Sequence, residues 1–203
     1  MINLEPSYSG TANSDYYQFY YERNGLRINE IERLTEYVKN NFKFEKGKTG
    51  VAEYGTDDET RSNNRDIAYI RPDIQNKWLY DKLSIHTSAA NDLYYNFDIN
   101  RVTDPIHYVI YPEDGGHLNW HMDIGAMGVN KRKLAMTVQL SDPSEYEGGE
   151  FQIWMGGSSG FVTLPREQGD IIVFPTFLMH RVTPITKGER KCLVFWSGGT
   201  PFR

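Results

Sequence analysis

Between residues 106 and 196 the chain is a succession of short apolar runs: IHYVIYP, HLNWHMD, KLAMTVQL, EFQIW, FVTLP, DIIVFP, LMHRV and RKCLVFW. Turn-forming residues separate them, among them Gly-Gly, Asp-Pro, Gly-Gly-Ser-Ser-Gly and Lys-Gly. Parallel strands need long crossovers, usually helical, and there is no room for them here. Many short strands with turns between them therefore predict an antiparallel sandwich or barrel. Helical periodicity is confined to the first half. Ile28, Ile31, Leu34, Val38 and Phe42 mark a helix over 27–42, and Trp78, Leu79, Leu83, Ala90 and Leu93 a second within 74–96. Both are expected on the outside of one sheet. Residues 43–65 are polar and charged, long enough for a lid. The expected organisation is one domain over 1–203, with a helical and lid region at 1–103 and a β core at 104–203.

Bulk properties exclude several classes. The chain has 203 residues, a net charge of −5 and scattered Lys and Arg, so no basic stripe points to nucleic acid. No apolar run is long enough to cross a bilayer, so no membrane role is expected. A single cysteine, Cys192, rules out an internal disulfide framework and fits a reducing compartment. MINLEPSYSG lacks a basic stretch followed by an apolar one, so the expectation is a cytoplasmic monomer or small homo-oligomer.

The strand faces carry more information. In HLNWHMD, strict alternation puts Leu118, Trp120 and Met122 on one side and His117, Asn119, His121 and Asp123 on the other. In KLAMTVQL, Ala135, Thr137 and Gln139 share a face opposite Leu134, Met136, Val138 and Leu140. In RKCLVFW, Arg190, Cys192, Val194 and Trp196 lie opposite Leu193 and Phe195. A washed sheet surface would collect Lys, Glu and Thr. Neutral polar groups beside aromatic ones fit a pocket lining better. On this alternation Trp120 and Met122 are expected in the core. Gly148 and Gly149 are expected in a strand-start turn.

His121 and Asp123, two apart on a strand, point the same way and can share one ion. Among the five histidines, His86 falls in a helix pattern and His107 fits a satisfied sheet position. His117 lies near His121, and His180 offers the third ligand. Two His and one carboxylate form the facial arrangement of non-haem Fe(II) oxygenases, with sites left open. A structural zinc site would take four ligands. Arg190, ten residues past His180, is either an exposed strand-start residue or an inward cation awaiting an anion. A dicarboxylate would suit the second case. Arg61 and Arg65 are either solvated loop residues or lie near the pocket mouth.

With His121, Asp123, His180 and Arg190 in this order, the sequence resembles the 2-oxoglutarate/Fe(II)-dependent oxygenases, and more closely their prolyl 4-hydroxylase-like branch of bacterial and phage type. The resemblance covers roughly residues 61–203, through IHYVIYPEDGG, RKLAMTVQLSDPSEYEGGEF, GDIIVFPTFLMHRVTPITKGER and FWSGGTPFR. It implies a mainly β fold with N-terminal helices, a double-stranded β-helix (a distorted, cupin-like jelly roll) braced by α-helices. It implies His121, Asp123 and His180 as iron ligands. Arg190 would bind the distal carboxylate of 2-oxoglutarate with Tyr111, Tyr108 being the alternative. Thr137 or Ala135 would contact the cosubstrate, and Trp196 would line the pocket. It also implies O2, ascorbate as a reductant, and hydroxylation of an unactivated C–H bond with succinate and CO2 as co-products. The substrate implied is a peptidyl prolyl or other peptidyl residue, with a free amino acid or small molecule as the alternative. A non-oxygenase metal-binding cupin is the rival class.

Overall fold

The structure is a computed structural model that describes residues 18–47, 63–125, 129–157 and 160–202. In chain order its elements are β1 (Tyr20–Glu22), α1 (Ile28–Asn41), β2 (Glu45–Lys46), β3 (Asn63–Asn64), β4 (Asp66–Ile70) and α2 (Lys77–Ala90). Then come β5 (Arg101–Val102), β6 (Ile106–Tyr111), β7 (His117–His121), β8 (Arg132–Gln139), β9 (Tyr146–Gly148) and β10 (Phe151–Trp154). The chain closes with β11 (Phe161–Thr163), β12 (Ile171–Pro175), β13 (His180–Val182), β14 (Ile185–Gly188) and β15 (Arg190–Gly198).

The strands make two facing sheets and a two-stranded ribbon, β14-β9. The major sheet runs β1-β12-β8-β15-β6-β4-β2, with β5 added to β15, and the minor sheet runs β11-β10-β13-β7-β3. Every pairing among the described residues is antiparallel. Strands from before residue 104 join both sheets, so the β framework is not confined to 104–203. This is the jelly-roll arrangement expected from the sequence.

The major sheet has two apolar faces, and alternation assigns each side chain to one of them. Leu134, Met136, Val138, Leu193 and Phe195 face outward and pack with Leu34 and Val38 of α1 and Leu79 and Leu83 of α2. Ala135, Cys192, Trp196, Val109 and Tyr111 face inward, towards Leu118, Phe151, Ile153 and Val182 of the minor sheet. Tyr108 falls on the helix side, where its hydroxyl meets that of Thr35.

The two helices follow their apolar spacing, with differences at the ends. In α1, Ile31, Leu34 and Val38 are buried, while Ile28 in the first turn is 61% exposed. The Glu30 carboxylate accepts the Arg27 backbone N–H at 2.8 Å, filling one orphan donor of the helix start. It also accepts from Lys82 of α2 at 2.6 Å, tying the helices together. The α-helical ladder of α2 stops at Ala90 and continues as a π-helical turn, Asn91–Tyr95. That change of pitch rotates Leu93 outward, to 56% exposure, contrary to its expected place on the buried face. Of the 43–65 connection, residues 48–62, including Arg61, lie outside the described residues; its ends form β2 and β3.

Gly148 and Gly149 do sit in the turn before β10, and both have positive φ. A Cβ on Gly148 would come within 2.2 Å of the Pro184 carbonyl oxygen, so the Glu-Gly-Gly-Glu stretch is set by backbone crowding.

Leu83→Ala, at a fully buried point between α2 and the major sheet, is expected to destabilise the fold by about 2–5 kcal/mol. The check is a lowered urea midpoint while divalent-metal binding persists.

Candidate active site

The decisive local feature is an irregularity in β7. His121 pairs with His180 and Leu118 with Val182, so three steps along β7 match two along β13. One extra residue in β7 forms a bulge, and a bulge reverses the alternation beyond it. Leu118 and His121 therefore both face the space between the sheets. Trp120 turns to the outer surface, beside Trp154, Phe161 and Arg181, and Met122 is 49% exposed. Neither belongs to the core, because the strict alternation that predicted it fails at this strand.

The bulge brings His121, Asp123 and His180 together, with ligand atoms all within 4.8 Å of one another. Asp123 Oδ1 is 3.6 Å from His121 Nε2, and Oδ2 is 3.5 Å from His180 Nε2. His121 Nδ1 lies 2.8 Å from the Asn119 carbonyl and His180 Nδ1 2.9 Å from the Leu178 carbonyl. A carbonyl only accepts, so each Nδ1 carries the hydrogen and each Nε2 keeps its lone pair towards Asp123. This is a prepared donor set for one divalent ion.

The electrostatics agree. Burial pushes His180 down to about 4, with His121 adding to the effect, so it is neutral at pH 7. Burial alone would raise the Asp123 carboxyl, but His180 and His121 beside it hold it well below the usual carboxylate range. The site thus offers two imidazole Nε2 atoms and one carboxylate. The Asp123 backbone N–H bonds to the Thr176 carbonyl at 2.9 Å, and Arg132 Nη1 reaches the Asp123 carbonyl at 3.3 Å. Both fix the loop that carries the carboxylate.

Farther along the inner face of the major sheet stands Arg190, only 1% exposed. The exposed strand-start alternative is excluded. Its Nη2 donates to Gln139 Oε1 at 2.8 Å, its Nη1 lies 3.6 Å from Cys192 Sγ, and its Cζ sits 5.2 Å from the Tyr111 ring centroid. Gln139 is a pocket residue that sequence reasoning did not single out. Its alternation with Ala135 and Thr137 was the available signal. Thr137 and Ala135 are both buried on the same inner face. Tyr111 faces the pocket and Tyr108 does not.

Trp196 lines the wall between Arg132, whose Cζ lies 4.1 Å from its ring centroid, and His107, whose ring centroid is 4.7 Å away. Asp104 receives two hydrogen bonds from Arg132, at 2.8 and 2.5 Å, and anchors that stack. The buried indole N–H of Trp196 helps to hold the Asp123 carboxyl down, and it has no hydrogen-bond partner among the described residues. His107 is wedged between Tyr69 and Trp196, as a wall residue rather than a ligand. A cleft of about 610 Å³ lies between α1 and the Leu140–Asp142 turn. It is on the helix side of the sheet and holds none of these groups.

A β sandwich with a facial His-Asp-His set on its inner face has counterparts among known proteins. Residues 106–198 fit the sequence profile of the 2OG-Fe(II) oxygenase superfamily. A PKHD-type hydroxylase of Maricaulis maris is 39% identical over 83 residues, which is 41% of this chain and 37% of that protein. The match thus spans little more than a third of that relative's length. A prolyl-4-hydroxylase from Pseudomonas putida has the same fold, with a TM-score of 0.67 at 15% identity, over 90% of this chain and 93% of that one. So has a prolyl hydroxylase from Trichoplax adhaerens, solved with a hypoxia-inducible-factor peptide fragment: TM-score 0.71, 17% identity, over 89% of this chain and 83% of that one. No helix among the described residues is long and apolar enough to cross a membrane.

Burial also holds His107 down, to about 4, with Arg65 and Arg132 contributing. A histidine whose folded pKa lies below its unfolded value binds fewer protons when folded. Stability is therefore lost as pH falls from about 6.5 towards 4. For the chelator-treated protein, a falling urea midpoint is expected over that window. His107→Phe should remove on the order of 1–3 kcal/mol of the loss.

Proposed function

We propose that this chain uses Fe(II) and 2-oxoglutarate to hydroxylate an unactivated C–H bond of a peptidyl residue, prolyl first among them, with succinate and CO2 as co-products. The observation that carries this is the pairing, across one pocket, of a three-ligand metal site on the minor sheet with a buried arginine on the major sheet that has no carboxylate partner among the described residues. A zinc-type structural site or a sugar-binding barrel has no use for that arginine. The similarity to prolyl hydroxylase folds and to PKHD-type hydroxylases supports the same reading.

In this account His121, Asp123 and His180 hold the iron by Nε2, one carboxylate oxygen and Nε2. The backbone carbonyls of Asn119 and Leu178 keep the imidazoles in the ligating tautomer. Arg190 fixes the far carboxylate of 2-oxoglutarate, with Gln139 orienting the guanidinium and Tyr111 covering it. Thr137 and Trp196 complete the wall, which excludes water around the reacting end. Bound together, iron, 2-oxoglutarate and O2 supply the oxidising power that an amino-acid side chain lacks. The protein's own task is geometry, anion binding and a dry pocket.

Arg190→Ala is expected to raise the 2-oxoglutarate concentration needed for half-maximal succinate formation by about 30-fold or more, the loss of a buried charge pair of roughly 2–5 kcal/mol. Turnover at saturating 2-oxoglutarate should fall much less. Mass spectrometry of proline-containing peptides incubated with the iron-loaded protein tests the reaction itself, through the mass of one added oxygen. No oxygen added to any peptide, with succinate still formed on addition of small molecules, would contradict the peptidyl assignment.

A further inference from the structure

A second arginine enters the pocket beside the first. The chain leaves the minor sheet at β3, paired with β7, and joins the major sheet at β4, paired with β6. Arg65 is the residue between them. Asp66 is opposite Ile110, so the antiparallel register sets Arg65 across from Tyr111, which is itself opposite Arg190. Arg65, Tyr111 and Arg190 form one row across three strands. At about 4.8 Å per strand the two arginine α-carbons stand roughly 10 Å apart. Alternation from Ile67, an inter-sheet core residue, puts Arg65 on the inner face.

Arg65 is packed against Gly47 and interacts with Tyr111, yet its guanidinium is incompletely satisfied. Its Nε is buried and finds no hydrogen-bond partner among the described residues. Its stem lies tightly over Gly47, where a Cβ would meet Arg65 Cγ at 2.6 Å and Nε at 2.7 Å. The neighbouring carboxylate, Asp66, is taken by Lys46 at 3.0 Å. The Arg65 charge is felt at His107, Tyr111 and His180, in keeping with the inward placement that alternation gives it. A half-buried guanidinium with no carboxylate partner among the described residues is costly.

Charge balance indicates what the anion is. On the oxygenase reading, on which this inference rests, the iron, Asp123, Arg190 and dianionic 2-oxoglutarate sum to zero, and the imidazoles are neutral. Arg65 leaves one positive charge over. We propose that Arg65 binds a carboxylate of the molecule being hydroxylated, so that the target residue is presented next to an anionic group. That group is either a free C-terminus or an acidic side chain. An internal residue flanked only by neutral groups would be a poor substrate.

The test is calorimetric, on the full chain loaded with Zn(II) in place of iron and with 2-oxoglutarate. Three probes are compared: acetyl-Ala-Pro with a free carboxylate, the same dipeptide as its amide, and acetyl-Glu-Pro-Ala amide. At least one acid probe is expected to bind about tenfold or more tightly than the neutral amide, and which one does so identifies the source of the carboxylate. Arg65→Gln should abolish the preference, Arg65→Lys should keep most of it, and 2-oxoglutarate affinity should change by less than about threefold in either. If neither acid probe binds better than the amide, the inference is overturned. It is also overturned if Arg65→Gln weakens 2-oxoglutarate itself by about tenfold, which would make Arg65 a second clamp on the cosubstrate. Failure of the oxygenase reading would look different: the wild-type Zn(II) protein would not bind 2-oxoglutarate at all.

Discussion

One inserted residue in β7 organises this molecule. Without the bulge, Leu118 and His121 would face opposite sides of the minor sheet, and the pocket would lose either its floor or its first ligand. With it, Leu118 joins the inter-sheet core and His121 meets His180 across the strand pair. Asp123 then lies just past the strand end, held by the Thr176 carbonyl. The bulge leaves a ladder position unpaired, and the gain is a donor set held by two neighbouring strands and no mobile side-chain linker.

The rest of the fold keeps that geometry in place. The major sheet is apolar on both faces, one covered by α1 and α2 and the other forming the pocket wall. Its outer face anchors the sheet through the helices, so the inner face can carry polar groups that do not stabilise the fold themselves. Buried Arg190, Gln139, Thr137 and Asp123 are such groups. Each is costly to bury unless partnered, and Arg190 bonds to Gln139 while no carboxylate among the described residues balances its charge.

Much of this was legible in the sequence because alternation is a local property. The inward placement of Ala135, Thr137, Gln139, Arg190, Cys192 and Trp196 follows from counting along β8 and β15, and the structure agrees. The choice of Tyr111 over Tyr108 as the residue facing the pocket needs only the same parity. A bulge, by contrast, is a property of two paired strands and leaves no mark in one of them, so Trp120 and Met122 were misassigned to the core. The contact of Gln139 with Arg190 likewise needed the β8–β15 register. The row of Arg65, Tyr111 and Arg190 needed the knowledge that the chain changes sheets between Asn64 and Asp66. The π-helical turn that exposes Leu93 interrupts a period that the sequence continues.

The most direct test of the central claim is an anaerobic titration of the metal-free protein with Fe(II) and then 2-oxoglutarate, following the visible charge-transfer band of the chelated complex. A pocket built as described gives a band only when both are present. It gives none with Asp123→Ala, and with Arg190→Ala it needs a far higher 2-oxoglutarate concentration. A wild-type protein that binds a divalent metal tightly yet shows no such band would contradict the assignment and leave a metal-binding sandwich of another kind.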